Sequence, residues 1–161
     1  MFLLSLKSLK GKFFLLITTV VAIVIAFSII SNSENAKNIT AADGPLDFSA
    51  ETEAQRLYFI SQLGLTVEKN PSEIKEILIP YDFDQTYTNY NEIQKQAGLN
   101  LELYKGCTAK KWTYTVTNYP GYEGKKCIKI NLIIYRNRII GGDICSVELN
   151  GFMKGLTKQE L

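Results

Sequence analysis

The stretch RIIGGDICSVELNGFMKGL, residues 138–156, sets two glycines, an aspartate and a cysteine inside an otherwise apolar run. How it pairs with the strand before it decides the fold. That strand, CIKINLIIY at 127–135, alternates: Ile128, Ile130, Leu132 and Ile134 point one way, Lys129 and Asn131 the other. A tight turn at Arg136-Asn137 makes the two segments antiparallel neighbours. Regular pairing sets Asn131 opposite Gly142 and Ile130 opposite Asp143, which drops the carboxylate among buried aliphatics at a cost of about 3 kcal/mol or more. One extra residue at Gly141-Gly142, a β-bulge, moves Asp143 opposite Asn131, with Lys129 on the diagonal, and brings Ile144 onto the apolar face. Glycine is the residue a bulge most readily uses. The double glycine is therefore read as register control and not as a reaction centre.

The same shift places Cys127 and Cys145 on one face, a diagonal apart, as the candidate disulfide. Bridging needs Cβ atoms within about 4.5 Å, and diagonal pairs commonly sit farther apart. The alternative is two small half-buried thiols. A nucleophilic Cys145 is not expected, because its neighbour would be Asp143, whose charge raises a thiol pKa.

Working outward, KKWTYTVTN at 110–118 alternates Trp112, Tyr114 and Val116 with Thr113, Thr115 and Thr117, the pattern of a half-buried antiparallel strand. YPGYEGKK at 119–126 reads as a loop. Its Tyr119, Pro120 and Tyr122 form a candidate contact surface, the alternative being an ordinary hairpin connection. Upstream, ETEAQRLYFISQLGL at 51–65 predicts a helix from Thr52 to Leu63, with a Thr52/Gln55 capping box, Gly64 as the stop and a stripe of Ala54, Leu57, Ile60 and Leu63. LTVEK at 65–69 and EIKEILIP at 73–80 read as short strands, the second ended by Pro80. A second helix is expected from a cap at Asp82 to Gly98, with Phe83, Tyr87, Tyr90 and Ala97 on one face. Asp82, Asp84, Thr86 and Thr88 imitate a calcium loop, but Tyr87 and Ile93 occupy its glycine and final glutamate positions, so no metal is expected there. The fold class predicted is α+β: two helices packed on one face of a mostly antiparallel sheet of four or five strands, preceded by a transmembrane helix.

The front of the chain supplies that helix. Lys7, Lys10 and Lys12 precede 18 uncharged residues, Phe13 to Ile30, just enough to cross a hydrocarbon core that takes about 20. The lysines place residues 1–12 inside as a cytoplasmic stub. Residues 13–30 are then a signal anchor in the cytoplasmic membrane, 31–45 a flexible linker, and 46–161 an exterior domain. The alternative is a secreted protein freed by signal cleavage, for which Ser31-Asn32-Ser33 is a weak site. Thr18, Thr19, Ala22 and Ala26 could admit a second helix in the membrane.

Charge is divided. Residues 46–104 carry ten acids and four bases, and residues 105–161 ten bases and four acids. Mutual neutralisation within the fold is favoured over attraction of an anionic surface polymer. Nucleic acid is not an expected partner. The chain has no histidine, which removes Ser-His-Asp and Cys-His activation and His-ligated metal sites. Three scattered cysteines, Cys107, Cys127 and Cys145, have no Cys-x-x-Cys spacing. No catalytic residue, metal or cofactor is expected.

NYNEIQKQAGLNLELYKG (89–106), YTVTNYPG (114–121) and RIIGGDICSVELNGFMKG (138–155) together resemble the bacterial family known as domain of unknown function 4830, over about Glu53 to Gly155. The resemblance implies an exported or membrane-anchored protein of Gram-positive anaerobes and carries no activity with it. The function expected is a membrane-tethered, non-catalytic interaction or sensing domain whose partner is an envelope protein or cell-wall polymer. The alternatives are an accessory subunit of a membrane complex, or a wall hydrolase working with two of Asp82, Asp84, Glu92, Asp143 and Glu148, which would have to face each other across a cleft.

Overall fold

The structure, a computed structural model, describes residues 44–158; the expected stub and signal anchor, and most of the expected linker, lie outside the described residues. Among the described residues no helix is long and apolar enough to cross a membrane. Two helices and five strands follow in the order α1 (Glu53–Gln62), β1 (Glu73–Leu78), α2 (Gln85–Gln96), a 3-10 turn (Leu101–Tyr104), β2 (Thr108–Thr115), β3 (Ile128–Tyr135), β4 (Arg138–Ser146) and β5 (Met153–Lys154). The strands form one antiparallel sheet in chain order, so the α+β class holds.

Thr52 caps α1 and exchanges hydrogen bonds with Gln55 in both directions, a capping box. The buried face is rotated from the expected stripe. Arg56, Phe59, Ile60 and Leu63 are buried, Leu57 is half-buried and Ala54 is exposed. Two large contacts explain the rotation: Phe59 meets Phe48 at 5.4 Å between ring centroids, and the Arg56 guanidinium lies 3.8 Å above the Trp112 ring. α2 starts two residues later than expected, capped by Asp84, whose carboxylate accepts from the Tyr87 N–H at 2.7 Å. Of LTVEK only a single bridge forms, Val67 with Val116.

Arg136 and Asn137 turn between β3 and β4 with φ of 46° and 63°, the doubly left-handed turn that matches strand twist. Beyond it Ile134 pairs with Ile139, while Ile133 pairs with Gly141, Asn131 with Asp143 and Ile130 with Ile144. The extra residue is thus Ile140, one position before the double glycine and not within it. The glycines serve the backbone that follows. Gly142 adopts φ 153°, and a Cβ there would run into the Asn131 carbonyl oxygen and stand 2.8 Å from Leu156 Cδ1.

The two helices lie on opposite faces of the sheet, not on one. Phe59, Ile60 and Leu63 of α1 share a core with Tyr114, Ile128, Ile130, Leu132 and Ile144. Phe83, Tyr87 and Tyr90 of the α2 segment lean on a second core made by Ile79, Leu101, Ala109, Ile133 and Ile140. Side chains of successive strand residues alternate faces, and β3 is apolar on both, so each side needs a cover.

Candidate functional site

α2 carries Phe83, Tyr87, Tyr90, Gln94 and Ala97 at helical spacing. Gln94 interrupts the apolar stripe and is 0% exposed. Its carbonyl oxygen accepts the Gly142 N–H at 2.7 Å and its amide donates to the Tyr90 carbonyl at 3.2 Å. Asn91, 2% exposed, accepts from the Leu101 N–H at 2.8 Å and donates to Asn100 Oδ1 at 2.9 Å. These two amides clamp the C-terminal half of α2 to the bulge of β4 and to the 3-10 turn.

The N-terminal half has no buried residue and stands over a groove of about 410 Å³ between helix and sheet. Tyr87, Tyr90 and Ile93 form its helical wall, and Ile77, Ile133 and Met153 the sheet side. Lys111 is the single charged residue of the lining, with Thr86 and Asn89 as the polar ones beside it. A concave, almost wholly apolar surface with few polar groups is the usual form of a small-ligand site.

Tyr90 also closes a buried polar chain. Asp143 is 3% exposed, and its two oxygens accept from Tyr90 Oη and Asn131 Nδ2, each at 2.8 Å. Asn131 Oδ1 in turn accepts from Thr113 Oγ1 at 2.7 Å. Burial first, and the Asp143 charge second, hold the Tyr90 phenol far above its ordinary range. The same two causes push the Cys145 thiol up to about 11, so the thiol is protonated at neutral pH. Lys129 directs its ammonium to Thr115 Oγ1 at 2.7 Å; the hydroxyl of Tyr90, arriving from another element, answers the carboxylate. The hydrogen bonds from Tyr90 and Asn131 occupy both oxygens of Asp143 and tie α2 to β3 and β4.

The other acids are dispersed. Asp84 caps α2, Glu92 pairs with Lys95 at 2.8 Å on an exposed surface, and Asp82 and Glu148 are exposed. Among the described residues no three of His, Cys, Asp and Glu gather closely enough to hold a metal. Cys127 and Cys145 are both free thiols, which corrects the candidate disulfide. Cys145 faces Asn131 at 3.6 Å, whereas Cys127 leans on the core beneath α1. The candidate contact loop is corrected too. Tyr119 is buried, stacked on Phe152 at 5.2 Å, and Tyr122 meets both rings edge-on, so of the three only Pro120 is exposed. The aromatic cluster closes on its own fold.

Sequence reasoning passed over Gln94, Asn91 and Lys111. Gln94 had a signal, since a glutamine inside an apolar stripe needs a buried partner. Lys111 had none, because its place at the groove depends on where α2 crosses the sheet.

No curated protein and no solved structure matches the chain. A family model matches residues 59–144, a span that includes Tyr90, Gln94, Lys111, Asn131 and Asp143. That match covers just over half of the sequence, and on it the chain belongs to the family described as Domain of unknown function (DUF4830).

Proposed function

We propose that this protein is a membrane-tethered, extracytoplasmic interaction or sensing domain, held by residues 13–30 and working by binding, without turnover. The observation that carries the reading is the apolar groove under the first half of α2, next to a carboxylate whose hydrogen bonds are already complete. The lysines before residue 13 and the uncharged run after them support the tether and its direction.

Native mass spectrometry of the full chain, isolated with its envelope fraction, tests the reading. Thr86 is exposed and lines the groove, so Thr86→Trp fills the space from outside with little strain on the core. A bound mass on the native chain that disappears in Thr86→Trp is the expected result. A chain that carries no added mass, or that keeps it in Thr86→Trp, speaks against the groove as the binding site. Clearing of wall glycan by the purified chain would replace the binding reading with a hydrolytic one.

A further inference from the structure

The charges beside the groove deepen that reading. Lys75 and Lys111 stand directly opposite each other across β1 and β2, a like-charge pairing that disfavours the sheet. Glu73 relieves part of it by pairing with Lys111 at 3.1 Å, which leaves one positive charge in excess among the three side chains. Lys111 reaches the groove itself. Ile77 on β1 and Met153 on β5 mark its extent across the sheet. Four strand spacings separate them, about 19 Å at 4.7–4.9 Å each. A long apolar trough with a cationic end fits a long molecule with one charged end.

Resting on the binding reading, we infer that the groove takes an anionic amphiphile with a single apolar chain. The carboxylate or phosphate head sits at Lys75 and Lys111, and the chain lies between Tyr87 and Tyr90 above and Ile133 below. Charge complementarity selects the head, and burial of the chain supplies the affinity, about 0.8 kcal/mol per methylene.

The test uses the full chain in nanodiscs of zwitterionic lipid, with methyl labels on isoleucine and methionine. Decanoate, decanol and decylammonium share one chain and differ in the charge of the head. Decanoate is expected to shift the Ile77, Ile133 and Met153 methyls saturably. Decylammonium should bind about ten-fold more weakly or less, as expected for a charge reversed beside a half-exposed ammonium. Lys111→Gln and, separately, the exposed Lys75→Gln should each weaken decanoate severalfold and leave decanol unchanged. Equal binding of all three compounds in the groove would overturn the anionic preference and leave the binding reading standing. Absence of groove shifts with every compound would overturn the amphiphile as occupant, while the binding reading would still be decided by the native bound mass and its loss in Thr86→Trp.

Discussion

Asp143 is the residue around which the second face of the sheet is organised. A buried carboxylate is tolerated only when its oxygens are satisfied, and here a phenol and an amide satisfy them. One consequence falls on Cys145, whose thiol is pushed up to about 11 by burial and by the Asp143 charge. Iodoacetamide labelling of Cys145, followed by peptide mass spectrometry, should stay slow through pH 9 and accelerate as pH approaches 11. The sign carries over to stability: a raised thiol pKa favours the fold below pH 9, and that contribution fades between pH 9 and about 11. A second consequence concerns Gly142. Gly142→Ala places a methyl against the Asn131 carbonyl at a φ that side chains rarely adopt, and should lower stability by about 1–3 kcal/mol, read as the urea midpoint. The pairing of Asp143 with Asn131 was legible in the sequence because a buried charge restricts the register. Tyr90 was not, since it sits 53 positions away and its approach depends on the face that α2 chooses.

At the scale of elements, the local rules were readable and the packing was not. The Thr52/Gln55 box and Gly64 bracket α1 as their chemistry requires. Its buried stripe was misjudged because Arg56, a charged residue, is 7% exposed, with its guanidinium bonded to Tyr114 Oη and the Ala50 carbonyl. The opposite placement of the helices had a trace in the sequence. Leu132-Ile133-Ile134 and Ile139-Ile140 break the alternation of a one-sided sheet, as strands covered on both faces do. The clamp on α2 is testable through Gln94. Gln94→Leu keeps the volume and removes the acceptor for the buried Gly142 N–H, so stability should fall by about 1–3 kcal/mol. Hydrogen exchange at Gly142 should quicken more than exchange at the centre of β3. Equal effects at both sites would show a general loss of packing and would argue against the clamp.

For the molecule as a whole, the acidic and basic halves of the sequence meet along the sheet. Glu73 pairs with Lys111 and Glu68 with Lys126, at 3.1 and 2.7 Å, and Glu76 stands opposite Lys110. These contacts are exposed and contribute little each, and they offset only part of the division of charge between the two halves. What remains is three layers, α1, sheet and α2, with the second helix fastened at one end and a trough beneath the other. That trough could not be read from composition or spacing, because it is the space left where a helix crosses a sheet. The proposed binding domain stands or falls with it, and hydrogen exchange along α2 in the full chain tests it most directly. Saturating decanoate should slow exchange across Gln85–Tyr90, the half that stands over the groove, and leave α1 unchanged. Exchange that is the same with and without decanoate along all of α2 would contradict the account.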